Sequence, residues 1–203
     1  QLIYSADQSI EKWFHEANQV ATNDQAKELV ATTAWLIHAR RRAHDLLTKR
    51  SNLPLAAQHI LWCAHAIACI EIILQGEVYE DLIIEKAIAD RPELFQSIYV
   101  DIMNRKPTKK GLQEAIKIVD RYLADHHQQY LSPVTQYLKK TNRVTPLSEI
   151  SEHFAFTQLY PWHLESVCEW LSEQGHLDKH ATPFHLTKRS LTEVEEPAYF
   201  LDQ

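Results

Sequence analysis

Glycine is almost missing from this chain: three residues in 203, alongside one Met and three Cys. Tight β-turns and phosphate-cradling loops both need glycine, for positive φ or close backbone approach. The scarcity therefore excludes a Gly-rich nucleotide loop and argues against an all-β fold. The motifs agree, since no Walker loop, Gly-x-Ser-x-Gly elbow or glycine-rich dinucleotide turn is present. Cys63, Cys69 and Cys168 are odd in number and sit in apolar helical settings, so they read as reduced thiols of a cytoplasmic protein. Long apolar runs are lacking too. The longest, Ile67–Leu74, is interrupted by Glu71 and is too short to span a bilayer, so no membrane partner is expected. No signal peptide is visible. The chain opens on Gln1 and a short apolar stretch, Leu2-Ile3-Tyr4, that reads as a strand without a partner, which leads us to expect an upstream domain.

What is present is helical. Ser9 can cap a helix with Ile10, Trp13, Phe14 and Ala17 on one face. A long helix is expected from about Asp24 to Lys49, broken by Ser51-Asn52. Pro54 suits the first turn of the next, Leu55–Leu74, which is apolar nearly all round and reads as the central buried helix. Gly76 ends it. Helices are expected over Tyr79–Ala89, Pro92–Asn104 and Leu112–Gln129, the last two joined by the polar link Arg105–Gly111.

From about residue 131 the rhythm changes. Ser132-Pro133 opens a helix, Leu147–Phe154 forms a short one, and Trp162–Gln174 forms another that ends at Gly175. Two extended pieces follow, His176–His180 and Phe184–Lys188, joined by Ala181-Thr182-Pro183. That order is the winged-helix order. Charge shifts as well. Residues 1–142 hold 17 Lys/Arg and 17 Asp/Glu, whereas residues 143–203 hold 4 and 10, so the net charge of -6 sits in the last segment. The helix in the recognition position carries Glu165, Glu169 and Glu173 and no Lys or Arg, which disfavours contact with duplex DNA. The expected fold is mainly α: a helical bundle followed by a winged-helix domain with a small β-hairpin. The expected divisions are a strand and exit helix over 1–22, a helical domain over 23–130 and the winged helix over 131–203.

Candidate chemistry is sparse. Twelve His are scattered along the chain and no Cys-x-x-Cys is present, so no metal site is expected. Arg40-Arg41-Arg42 is the strongest basic run on a helix; it could meet a phosphate, or be a solvated face favoured by the helix dipole. Arg40 and His44 share a face. Glu71 is the outlier. A carboxylate inside the most apolar helix must pair with an Arg or His of a neighbouring helix or face a cleft, where it could act as a general base.

The block "ILWCAHAIACIEIILQGEVYEDLIIEKAIADRPELFQSIYVDIM", with the following "GLQEAIKIVDRYL", resembles the helical C-terminal half of bacterial nucleotidyltransferase-like proteins. The marked residues are Trp62, Glu71, Gly76, Pro92, Phe95 and Tyr99. The opening "LIYSADQSIEKWFHEA" is similar to the last strand and exit helix of the catalytic domain in such proteins. The resemblance implies a helical substrate-binding domain of the HEPN and nucleotidyltransferase type, related to that of kanamycin nucleotidyltransferase, with an added helix-turn-helix. It implies a parent enzyme that transfers a nucleoside monophosphate from a nucleoside triphosphate to a hydroxyl with Mg²⁺. The Gly-Ser and Asp-x-Asp residues of that chemistry match no position here, so neither Mg²⁺ nor the triphosphate is expected to bind this chain. The acceptor side carries over instead, with Arg40, His44, His65 and Glu71 as the substrate-binding candidates. Expected partners are an upstream nucleotidyltransferase domain, another protein or a second copy of the chain. The rival expectation is a transcriptional regulator whose helical part senses a ligand or dimerises and whose winged helix binds DNA.

Overall fold

The computed structural model describes residues 22–76, 82–155, 161–184 and 194–201. The expected strand Leu2–Tyr4 and the Ser9-capped helix lie outside the described residues.

The fold is built on a helical hairpin, α1 (Thr22–Thr48) and α2 (Leu53–Leu74). Ser51 takes a positive φ of 51° at the turn. Asn52 then caps α2 by accepting the Leu55 amide at 3.1 Å, two residues before Pro54 enters the first turn. The link is so short that the helices must run antiparallel. Gln25 confirms it, because its side-chain amide donates to the Ile73 carbonyl at the far end of α2. Residues 51–70 contain no Asp, Glu, Lys or Arg, so α2 can only be covered by apolar neighbours. Ile60, Ala64, Ile67, Ala68, Ile70 and Ile73 are all buried. By length and composition α2 is apolar enough to cross a bilayer, which the sequence run Ile67–Leu74 alone did not indicate. In the fold it packs against α1, α3 and α6 instead.

Gly76 ends α2 at φ 74°, a left-handed conformation that favours glycine. After it come α3 (Ile83–Asp90), α4 (Pro92–Phe95), a π-helical turn (Gln96–Val100) and α5 (Asp101–Asn104). The expected helix Pro92–Asn104 is thus one helical stretch interrupted by a π turn, with Phe95 and Ile98 fully buried. Thr108 caps α6 (Lys109–Tyr130) by accepting the Gly111 amide at 3.1 Å, so this helix starts earlier than Leu112. Its inward face is Leu112, Ala115, Ile116, Val119, Tyr122 and Leu123, at helical spacing.

The last third comprises α7 (Ser132–Thr141), β1 (Thr145–Pro146), α8 (Leu147–His153), α9 (Pro161–Glu173), β2 (Asp178–Phe184) and β3 (Val194–Phe200). The strands form an antiparallel sheet in the order β1-β3-β2. Here the sequence reading needs correction. Ala181-Thr182-Pro183 is not a turn: β2 runs straight through it, pairing Ala181 with Pro197 and Pro183 with Glu195. Pro183 is tolerated because β2 is an edge strand. The partner strand is Val194–Phe200, further along the chain than expected. Pro197 fits in β3 because two-residue β1 reaches only Ala198 and Tyr199, leaving Pro197 past its end. Glu196 of β3 turns back to the start of α8, accepting the Ser148 amide at 2.9 Å and its hydroxyl at 2.8 Å, which supplies a carboxylate cap to that helix.

α9 does not stand free. It packs against α1, and one apolar core runs from Leu29 through α2 and α6 to Trp170, Leu171 and Tyr199. The mainly helical architecture with a small antiparallel sheet is the expected fold class.

Candidate functional site

Arg40 sits on the inner side of α1, where α6 crosses it. Its guanidinium makes a bidentate pair with Asp120 of α6, Nε to Oδ1 at 2.5 Å and Nη2 to Oδ2 at 2.7 Å. The pair forms one wall of a cavity of about 370 Å³ between α1, α6 and α9, lined also by Arg121, Ala124, Trp170, Glu173 and Gln174. Two guanidiniums, two carboxylates and an amide therefore converge on one small space. Beside it, His127 of α6 meets Trp170 edge-on at 5.5 Å and stacks on His176 at 4.4 Å. Burial, with the charge of His127 opposing, holds the His176 imidazole below its ordinary pKa.

Glu71 is placed elsewhere. Residues two apart on an α-helix point roughly 200° from each other, and Glu71 is bound by Tyr122 whereas Arg40 is bound by Asp120. The Glu71 carboxylate accepts the Tyr122 hydroxyl at 2.8 Å and both oxygens take Arg91 Nη1, at 3.1 and 3.0 Å. Tyr130 donates in turn to the Tyr122 hydroxyl at 3.2 Å. Burial first, then Tyr130 and Glu71, push the Tyr122 phenol far above its usual range, so it stays a donor. The carboxylate is thus half of an ion pair with Arg91, at the link between α3 and α4.

His65 is exposed on α2, its Nδ1 3.6 Å from the Cys69 thiol. His44 is exposed on α1, 3.9 Å from Asp45. The four predicted residues accordingly do not share a cleft: Arg40 lines a cavity, Glu71 anchors a network, and the two His face outward. The residues that complete the Arg40 cavity were missed. Asp120 and Arg121 carry no motif of their own, and only the pairing of two helices reveals their use. A larger cavity of about 800 Å³ lies between α1, α7 and α8, against Val30, Gln136, Tyr137 and Lys140, and contains none of the four.

One acidic residue of α9 also changes meaning. Glu169 is held inside by Lys179 of β2, at 2.5 Å, and by the Tyr199 hydroxyl of β3, at 2.7 Å. Glu165 and Glu173 remain exposed.

No family model matches the sequence, and no curated protein matches it. The fold is similar to that of a solved structure, a nucleotidyltransferase-like protein from Exiguobacterium sibiricum 255-15, with a TM-score of 0.72. The match covers 98% of this chain at 16% identity. The chain spans 66% of that protein's length. A likeness at this identity is one of fold.

Mg²⁺ finds no ligand set among the described residues. No group of three or more His, Cys, Asp or Glu among them is placed to hold a metal ion. Asp120 and Glu71 each face a guanidinium, which would oppose a cation at the same oxygens.

Proposed function

We propose that this chain is the acceptor-recognising, non-catalytic portion of a nucleotidyltransferase-like protein, and that it makes contacts to a catalytic domain or another protein. The observation that carries this reading is the fold likeness, over nearly the whole chain, to a nucleotidyltransferase-like protein. The Arg40–Asp120 cavity supplies the recognition. Its paired charges and its amide offer donors and acceptors on facing walls, a lining suited to a polyhydroxylated polar molecule rather than an apolar one. The last third is a winged-helix module acting as a contact surface. In support of that use, its α9 carries Trp162, His163 and Trp170, which face the helical part, and keeps Glu165 and Glu173 outward, where phosphates would be repelled.

The test is ligand-induced stabilisation. A ligand that binds only the folded state raises the melting temperature with concentration. A panel of polyhydroxylated amines and sugars is expected to yield at least one compound that stabilises the chain and fails to stabilise Glu173→Gln or Arg121→Gln. Equal stabilisation of parent and variants, or turnover of a nucleoside triphosphate by the isolated chain, refutes the reading.

A further inference from the structure

A second cluster lies away from the Arg40 cavity and uses none of its residues. On α1, Trp35, His38 and Arg42 recur at i, i+3 and i+7, one stripe of the helix. On α2, His59 and Trp62 do the same at i and i+3. The first turn of α9 brings Trp162 and His163 against them. Trp35 is the hub, with ring centroids 6.1 Å from Trp62, 6.1 Å from Trp162 and 5.9 Å from His163. His38 meets Trp162 at 4.4 Å and His59 meets Trp62 edge-on at 4.5 Å.

Three features of this cluster are unlike an ordinary core. First, its indoles are only partly covered: Trp35, Trp62 and Trp162 are 36%, 39% and 38% exposed. The other large apolar side chains exposed among the described residues, Leu82, Met103 and Val194, lie on other elements. The open apolar surface here is made of three indoles, whose ring faces can each take a stacked base. Second, Arg42 at the rim is exposed and makes no ion pair among the described residues, yet lies close enough to His38 and His59 to disfavour their protonation. Third, Nδ1 of His59, a residue only 7% exposed, has no hydrogen-bond partner among the described residues. The nearby charges are Arg41 and Arg42 on α1, none on the adjoining part of α2, and Glu165 one turn along α9 from Trp162. The balance at the α1 rim is cationic, in a chain whose net charge is negative.

We infer that the Trp35, Trp62 and Trp162 face binds a nucleobase by stacking, with the adjoining phosphate held by Arg42. A flat π-face on tryptophan and an anion on an unpaired guanidinium are both satisfied by a nucleotide unit and by neither a sugar nor an aliphatic peptide. The unit can be a free nucleotide or an unpaired stretch of a nucleic-acid strand.

Three of the five tryptophans lie in the cluster, so the whole chain reports on its own binding by intrinsic fluorescence. The chain is titrated with adenosine monophosphate, a short oligoadenylate and inorganic phosphate. Saturable quenching by one or both adenine probes is expected, weakened about tenfold or more in Trp62→Ala and in Arg42→Gln and unchanged in Lys117→Gln on α6. Tighter binding of the oligomer than of the mononucleotide identifies a strand, and equal binding identifies a free nucleotide. Arg42→Gln changes an exposed side chain, so it keeps the test valid if Trp62→Ala misfolds. The inference is overturned if neither adenine probe quenches at millimolar concentration, if inorganic phosphate competes as well as the nucleotide, or if the folded variants bind like the parent.

Discussion

Removing the Glu71 carboxylate separates a structural anchor from a catalytic base. In Glu71→Ala the buried Tyr122 hydroxyl loses a charged acceptor, at a cost of about 1.5–3 kcal/mol for a hydrogen bond to an ionised group. The Arg91 pair adds less. Glu71 is 17% exposed but Arg91 is 46% exposed, so solvent screens the pair and it contributes about 0–1 kcal/mol. The sum is about 2–4 kcal/mol, a large share of the 5–15 kcal/mol typical of a folded chain. In a chain of this size it lowers the melting temperature by roughly 5–15 °C. Glu71→Gln keeps an oxygen for Tyr122 and loses mainly the charge, so it should cost about 1 kcal/mol. Urea unfolding at constant m gives both values. In a double-mutant cycle with Tyr122→Phe the two losses should overlap rather than add. If Glu71→Ala stays within about 0.5 kcal/mol of the parent, or if Glu71→Gln costs as much as Glu71→Ala, the network has been misjudged.

Other perturbations test other parts of the fold. Gly175→Ala meets no atom within 4 Å, so its cost is the left-handed backbone at φ 77° alone, about 1–2 kcal/mol by thermal unfolding. Burial among the indoles, with His38 adding to it, lowers the His163 pKa to about 4 from 6.5. Between those values the unfolded chain binds the extra proton, so His163 contributes stability above pH 6.5 that is lost as the pH falls towards 4. His38, His59 and His176 shift in the same direction. A melting-temperature profile from neutral to acid pH should fall through that window, less steeply in His163→Gln. The Cys63 and Cys168 thiols are pushed up by burial and Cys69 to about 11, so none should react with iodoacetamide near neutral pH until denaturant is added.

Helices were legible where punctuation and burial agreed. Pro54, Gly76, Ser132-Pro133 and Gly175 each mark a boundary of the fold to within a residue or two, because capping and positive φ are local requirements. The strand β3 was not legible. Glu195, Glu196 and Pro197 show no alternating strand pattern, and only the fold shows Glu196 capping α8 and Pro197 lying beyond β1. At the candidate site, the energetic argument that Glu71 needs a partner was sound, but neither Arg91 nor Tyr122 could be named, since tertiary pairing leaves no local trace. The Trp35, His38 and Arg42 stripe was readable at helical spacing. Tryptophans on a helix ordinarily serve the core, and the exposure of these is visible only once α1, α2 and α9 are assembled.

The prolines of the sheet have a consequence for self-association. An open strand edge is a template on which a second chain can add a strand. Among the described residues, besides the two-residue outer edge of β1, this sheet has two such stretches, β2 along its whole length and the first half of β3 beyond the end of β1, and each carries a residue that cannot donate to a new ladder, Pro183 on one and Pro197 on the other. Glu195 and Glu196 add charge to the second. Polymerisation through edge pairing is thereby discouraged at both places, and a partner, whether a second copy or another protein, is left to approach through helical surfaces.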